Sequence, residues 1–416
     1  MTSLEEDVYM NAIKPYKAKD LEDLAQILTQ WKTAYRHYPH HIPSFYLVIV
    51  IESTRVMCVF GNSAVLPEFQ LCQIVFNNID STTLLREQLF ALNRVTQQNE
   101  LYVTHAHFTV SGRIKPSGKG FEVTNYPKRL HDDKINRTLL LPSLPLQLLS
   151  RRPVCSNDMA DVAFGLCFLK KGGLMQETFR KIYPNLISMQ WSGARNPYDG
   201  AAAAQPRLET GRHLVVGRGR GLGVAMVYTT DGERFNVLDL ESGHMSCVSK
   251  RGAELENYMK EQLGVHALDY ENLCSVTSLE HIYNYCLHNA RIKINDETCF
   301  KSEEELLRLA VGSAPFQPAR KALEVQFFYL FKMIIDCAVS MRCTNVWLLP
   351  SRTSFSLYQV LMSQICSSML RKMISKHPKG QWLIDAQFQL YLQIRPADLK
   401  LLGALFQAAH SVNKPS

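Results

Sequence analysis

Two hydrophobic rhythms alternate along the chain, one of period two and one near 3.6, and the switches between them outline the elements. Leu21, Leu24, Ile27, Leu28 and Trp31 recur at helical spacing, so residues 1–43 read as a helical lead-in. Residues 44–60 are apolar and β-branched on both alternations. They predict two buried strands with a turn at Glu52–Thr54. A helix is predicted from Thr82 to Gln97 and a strand over 101–110, closing at Ser111-Gly112. Residues 172–212 show no period and carry Gly172-Gly173, Pro197 and the run Ala201 to Ala204, which predicts a loop or insertion. His213–Val216 and Leu222–Tyr228 predict two strands around a glycine-rich turn. Helices follow at 251–263, 277–291, 302–311, 316–341 and 354–376, with strands at Asn345–Leu349 and near Trp382–Leu390. Strands interleaved with helices predict an α/β architecture.

Composition narrows the picture. A chain of 416 residues has the length of two domains or one two-lobed enzyme. With 46% hydrophobic and 20% charged residues it can bury a core, which excludes wholesale disorder. The longest apolar stretch, near 325–339, is interrupted by Gln326, Lys332 and Asp336 and is too polar to span a membrane, so no membrane partner is expected. The net charge of +8 suits anionic ligands, but the basic residues are scattered and no nucleic-acid partner is expected. The 11 cysteines sit mostly in apolar runs (Cys58, Cys72, Cys167, Cys337) without a CxxC pair. They read as reduced thiols, not a disulfide or metal framework. Met1 to Asp7 is acidic and lacks an apolar core, so the expected location is cytoplasmic or organelle- or flagellum-associated, not secreted. The ending Asn413-Lys-Pro-Ser416 is not a glycosomal (peroxisomal-type) tripeptide.

The candidate chemistry lies in three polar motifs and one glycine-rich turn. Asn157-Asp158 precedes an apolar helical run, Glu241-Ser-Gly-His244 follows a strand pattern, and Glu271 lies in Tyr270-Glu-Asn-Leu-Cys274. Each has a plain alternative. Asn-Asp caps helices, a glutamate at a helix start is often only solvated, and a lone histidine is often a satisfied core or surface group.

In order and spacing these motifs resemble the bacterial-type and kinetoplastid glucokinases of the actin-like ATPase and hexokinase group. The stretches that carry the resemblance include Gly211-Arg-His-Leu-Val-Val216, Gly221-Leu-Gly-Val-Ala225, Leu279-Glu-His-Ile-Tyr283, Asn125-Tyr-Pro-Lys128 and Ser156 to Gly165. The resemblance implies a two-lobed actin-like α/β fold with a cleft between lobes. Residues 1–43 would be an N-terminal extension. Residues 44–155 would form a small lobe completed by a C-terminal helix at 396–411, and 156–395 a large lobe. It implies that Asp158 is the general base that takes a proton from a sugar hydroxyl, a group too weakly acidic to attack phosphorus unaided. Asn157 would orient the sugar, and Glu241, His244 and Glu271 would bind other hydroxyls, with glucose as the expected ligand.

The phosphate side departs from the family. Where the first hairpin normally reads Asp-x-Gly-Gly-Thr, this chain has Ile49, Ile51, Glu52 and Ser53 at the Asp, Gly, Gly and Thr positions. Isoleucine cannot hold a metal, and Glu52 would bring negative charge beside phosphate. In the second hairpin Gly219, Gly221 and Gly223 are kept, but Arg220 replaces a threonine and Arg218 precedes it. Leu349-Pro350 stands where a small-residue pair normally admits adenine, and Val276 stands where the family has glycine. Glu52 and Arg220 are expected to pair across the cleft and close the nucleotide site. No cofactor is then expected, and magnesium-ATP is implied only if the chain is an active enzyme. The favoured reading is a pseudokinase, either sugar-binding or a structural subunit with protein partners through 1–43 or 172–212. The alternative is an active ATP-dependent glucokinase that makes glucose 6-phosphate.

Overall fold

Residues 44–51 read Ser-Phe-Tyr-Leu-Val-Ile-Val-Ile, and a strand this apolar must be covered on both faces. The computed structural model covers it so. It describes residues 15–34, 44–52, 55–62, 70–79, 82–100, 102–114, 121–123, 154–184, 206–247, 252–296, 298–311, 314–352 and 354–410. The chain divides into two units, Met1–Gly173 with Ala397–Ser416, and Leu174–Pro396.

In the first unit the elements run β1 (Tyr16–Lys17), α1 (Leu21–Ala34), β2 (Ser44–Ile51), β3 (Arg55–Asn62), β4 (Leu71–Asn77), α2 (Thr82–Gln98), β5 (Tyr102–Val110), β6 (Gly112–Ile114), β7 (Phe121–Val123), β8 (Val154–Asn157) and α3 (Asp158–Lys171). A helix at Leu399–His410 completes the unit. The main sheet has the order β1-β4-β3-β2-β5-β8. β2 runs antiparallel to β3 and parallel to β5, with Ile49 opposite Cys58 on one side and Phe108 on the other. Leu47, Ile49 and Ile51 share one face and join a core with Leu24, Leu28 and Trp31 of α1 and Leu85, Leu89 and Leu92 of α2. Val48 and Val50, on the other alternation, are equally buried, and the C-terminal helix packs against β2 and β5.

That helix also lies directly on α3. A Cβ at Gly403 would stand 1.7 Å from the Asp161 carbonyl oxygen, and one at Gly165 2.2 Å from that of Leu399. Only glycine permits this approach. The close packing explains why the first unit extends to Gly173 and does not stop at 155, the boundary expected from sequence. The lead-in is likewise integrated: β1 adds to the sheet edge through Tyr16 and Cys72, and α1 buries Leu24, Leu28 and Trp31.

The second unit contains α4 (Met175–Thr178), β9 (Phe179–Tyr183), β10 (Gly211–Arg218), β11 (Leu222–Thr229), β12 (Asn236–Leu240), α5 (Ala253–Leu263), α6 (Glu271–Cys274), α7 (Leu279–Asn289), α8 (Glu303–Val311), α9 (Gln317–Met341), β13 (Asn345–Pro350), α10 (Phe355–Met362), α11 (Gln364–Lys376), α12 (Gly380–Asp385) and β14 (Gln389–Gln393). Its sheet has the order β12-β11-β10-β13-β14-β9. Three expectations are corrected. Part of the predicted loop 172–212 is β9, which pairs with β14. Trp382 lies in α12, and the strand begins only at Gln389. The helix expected over 354–376 breaks at Ser363, whose backbone is extended and whose hydroxyl accepts from the Cys366 N–H as a new N-cap. Residues 185–205, most of the remaining candidate contact loop, lie outside the described residues, as do 1–14, 35–43, Ser53 and the Asn125–Lys128 motif.

Candidate functional site

In the first unit, the predicted base sits where β8 hands over to α3. Asn157 is the N-cap: its Oδ1 accepts from the Met159 N–H at 2.8 Å and its Nδ2 donates to the Gly112 carbonyl at 2.7 Å. The capping alternative is therefore realised, and among the described residues one N–H and one lone pair of this amide are not used by these bonds. Asp158 follows, its Oδ2 accepting from the Ser111 hydroxyl at 2.7 Å. Burial raises its pKa above the usual carboxylate range, and the Lys400 charge with hydrogen bonds from Ser111 and the Met159 N–H only partly offset this.

Glu52 closes the β2–β3 turn, its N–H donating to the Arg55 carbonyl. Its Oε1 takes a hydrogen bond from Lys400 Nζ at 2.5 Å, within its own unit. Lys400 stands in the first turn of the C-terminal helix. Burial lowers its pKa, but Glu52, Asp398 and Asp158 outweigh burial, and the net shift is upward. Ile49, at the expected metal position, has no exposed surface.

Behind Asp158 lies a buried Ser-His-Asp group that is not a nucleophilic relay. His107 Nε2 faces both Ser156 Oγ (2.8 Å) and Asp161 Oδ1 (3.0 Å). His107 Nδ1, the atom a relay would need, has no partner among the described residues. Gln407 also donates to Asp161, so the group ties β5, β8, α3 and the C-terminal helix together.

In the second unit, the three remaining sugar candidates converge. Glu241 leads into a single 3-10 turn, Ser242–His244, whose Gly243 lies against the Leu222 carbonyl too closely for a side chain. His244 Nδ1 is 3.0 Å from Asp269 Oδ2, and its Nε2 is 3.9 Å from Glu241 Oε2. Glu271, at the start of α6, accepts the Leu222 N–H on Oε2 at 2.8 Å. Burial raises the Glu271 pKa, and that N–H works against the shift. Asp269 is a member that sequence reasoning missed. Its proximity arises from the isolated bridge between Ser246 and Asp269, and its position two residues before Glu271 is the one sequence hint.

The glycine hairpin between β10 and β11 is bonded inward. Gly219 N–H donates to the Gly221 carbonyl, Val276 N–H to the Gly219 carbonyl, and Thr277 Oγ1 to the Arg220 carbonyl. A Cβ at Gly221 would lie 2.6 Å from Glu271 Oε2, so a side chain there would displace that carboxylate. Gly223 pairs with Gly217 in the ladder. Arg218 is buried. Its Nε donates to the Cys274 carbonyl at 2.9 Å, and its terminal nitrogens bond Glu303 and Gln326. Leu349 and Pro350 lie opposite Gly217 and Arg218 at the end of β13.

Both sheets share one plan: an antiparallel hairpin, β2–β3 or β10–β11, extended by parallel strands, β5 and β8 or β13 and β14. Residues 199–345 match the family model for glucokinase. The solved glucokinase of Balamuthia mandrillaris, in complex with glucose, superimposes with a TM-score of 0.73 at 21% identity, over 93% of this chain and 99% of that one. The fold is that of a glucokinase. The two-lobed, actin-like glucokinase architecture is repeated by the Leishmania braziliensis enzyme, with a TM-score of 0.67 at 18% identity over 95% and 99% of the two chains. It is repeated also by a ROK-family transcriptional regulator, a homologue of the E. coli MLC protein (TM-score 0.58, 12% identity, 88% of this chain and 78% of that one). No curated protein matches the chain in sequence. Among the described residues no group of His, Cys, Asp and Glu could hold a metal ion, and no helix is long and apolar enough to cross a membrane.

Proposed function

We propose that this chain is a glucokinase-like pseudokinase. It keeps hexose-recognising residues, lacks efficient phosphotransfer, and serves as a sugar-binding or structural subunit. The observation that carries the reading is the burial of Ile49. Phosphoryl transfer depends on positioning and on a metal that neutralises charge. At the position where the family resemblance calls for the metal-shell carboxylate, this chain has a core side chain with no exposed surface. Glu52 is already held by Lys400, and Arg218 is bonded inward to Glu303, Gln326 and Cys274. These residues do not fit a magnesium-nucleotide.

The sugar side supports the other half of the reading. Glu241, His244 and Glu271 offer carboxylate acceptors and an imidazole in one polar group, the donor and acceptor mixture that hydroxyl recognition needs. In the first unit, Asp158 and Asn157 offer a carboxylate and an amide of their own. Glucose is the proposed ligand, in line with the glucose complex of the Balamuthia glucokinase. The alternative, an active ATP-dependent glucokinase, is favoured by one feature, the retention of Asp158 with Ser111 as hydrogen-bond donor.

Thermal unfolding with saturating glucose and, separately, magnesium-ATP tests the proposal, because a ligand of the native state raises Tm. The expected result is a shift with glucose and none with magnesium-ATP. Shifts with both, together with glucose-dependent ADP release that Asp158→Asn abolishes, would establish the active enzyme. No shift with either would leave only the structural role.

A further inference from the structure

Lys400 and Glu52 are 348 residues apart in sequence, and their meeting is enforced by the fold. The C-terminal helix is fixed on α3 by the approaches at Gly403 and Gly165, and the same α3 begins at Asp158. Lys400 in the first turn of the first helix is thereby held near the N-terminus of the second. Its side chain is only 18% exposed and bonds Glu52 Oε1 at 2.5 Å, whereas Glu52 is 32% exposed. Asp158 and Asp398 also act on the same ammonium. Among the described residues one positive charge thus faces three carboxylates, Glu52, Asp158 and Asp398, a net negative balance.

We propose that the Glu52–Lys400 pair makes the surroundings of Asp158 in the first unit exclude phosphate, so that they admit a neutral hexose and reject phosphorylated ligands, whether a hexose 6-phosphate or a polyphosphate chain. The proposal rests on the sugar reading of Asp158 and adds the ligand's charge class to it. A free lysine beside Asp158 would attract phosphate oxygens. Bonded to Glu52, Lys400 instead neutralises a carboxylate at the turn where phosphate-binding hairpins carry glycine. An approaching phosphate, carrying close to two negative charges, would then meet uncompensated carboxylates in surroundings that screen weakly. A neutral hydroxyl meets no such penalty.

The test compares glucose, glucose 6-phosphate and inorganic tripolyphosphate without magnesium, at matched ionic strength, by calorimetric titration and thermal shift. The wild-type chain and Glu52→Gln are used. Glutamine keeps an oxygen for Lys400 and leaves the backbone bond to Arg55 in place, and circular dichroism checks the variant's fold. Wild-type protein should prefer glucose over glucose 6-phosphate by roughly a hundredfold or more. Glu52→Gln should narrow the ratio by about tenfold, the effect of a partial charge interaction worth about 1.4 kcal/mol. A purely structural role for Glu52 would weaken both ligands equally and leave the ratio unchanged, which overturns the proposal. Equal wild-type affinity for the two sugars overturns it as well, while leaving the sugar reading intact. If the wild type binds none of the three and Glu52→Gln gains tripolyphosphate, exclusion stands and the sugar reading falls. If Glu52→Gln does not fold, Lys400→Met is the second variant. It removes the compensating cation, so the preference for glucose should widen, and an unchanged ratio counts against exclusion.

Discussion

Arg218 offers the sharpest test of how the glycine hairpin is built, because two uses of that guanidinium predict opposite results. As a phosphate ligand, it would be dispensable for stability and needed for anion binding. The structure gives it a different role. It is 2% exposed, lies 5.8 Å from the Phe327 ring centroid, and bonds the Cys274 carbonyl, Glu303 and Gln326. Arg218→Met keeps most of the aliphatic volume and removes every donor. Gln326, fully buried, would keep its bond to the Ser275 carbonyl but lose the one to its own oxygen. Glu303, with a side chain 13% exposed, would keep a charge with no cation in its place. Removing one partner of a buried pair costs about 3–5 kcal/mol, mostly from the stranded charge. For a unit of roughly 220 residues each kcal/mol lowers Tm by about 2–4 °C, so a fall of roughly 10 °C is expected. Scanning calorimetry suits the measurement, because a chain of two units need not melt in one step and the second unit's transition should move alone. Adding Glu303→Gln to Arg218→Met should recover part of the loss, since the stranded charge is then gone. A fall equivalent to less than about 1 kcal/mol would refute the reasoning and return Arg218 to the list of anion ligands.

Two further outcomes follow from the packing and electrostatics. Gly403→Ala places a Cβ 1.7 Å from the Asp161 carbonyl oxygen and 2.7 Å from the Gly165 nitrogen, all backbone, so the helices must part. The first unit should lose at least about 2 kcal/mol in chemical denaturation, and a wild-type midpoint would show that the helices are not so close. For His244, burial lowers the pKa, but the Asp269 hydrogen bond and the charges of Glu271, Asp269 and Glu241 outweigh it, and the net shift is upward. A raised folded pKa gives stability that is complete below the unfolded value near 6.5 and is lost as pH rises through the folded one. Stability of the second unit should therefore decline above about pH 6.5, and His244→Asn should remove that component. An NMR titration placing the imidazole at or below 6.5 would contradict the assignment.

The strands were legible because their chemistry is local. Residues 44–60 and 213–228 carry enough β-branched and apolar side chains on both alternations to declare buried hairpins, and β2, β3, β10 and β11 form where the pattern puts them. β9 was hidden because Phe179–Tyr183 is a five-residue edge strand after two glycines, and its pairing with β14 is supplied by residues some two hundred positions away. Trp382 misled because six residues with one large aromatic fit a short helix as well as a strand. Asn157 and Glu271 were identified as polar residues at helix starts, but sequence does not tell a cap from a ligand. The hydrogen bonds to Met159, Gly112 and Leu222 decide which side-chain atoms are already used. Lys400 was not found at all. Nothing in its neighbourhood marks it, since Leu399-Lys-Leu-Leu402 reads as an ordinary amphipathic helix start, and its meaning lies wholly in a tertiary contact.

The two hairpins reach the same state by different chemistry, which bears on how the fold can persist when phosphate chemistry is given up. A hairpin that cradles phosphate must leave backbone N–H groups unbonded, and unbonded groups are a liability once no anion satisfies them. In the second hairpin the Gly219 N–H is taken by the Gly221 carbonyl and the Leu222 N–H by Glu271. Val276 supplies an N–H to the Gly219 carbonyl and latches the turn to the loop ahead of α7. In the first hairpin the Glu52 N–H closes the turn on Arg55, and its carboxylate fastens the turn to the C-terminal helix. On the proposed reading, these are the contacts that let each turn hold its shape with no ligand present. The same packing accounts for glycines that no ligand needs to explain. Gly243 is held by the Leu222 carbonyl and Gly403 by α3, both backbone approaches, while Gly221 lies beside the Glu271 carboxylate. A glycine can thus be kept by packing alone, wherever the fold depends on the missing side chain.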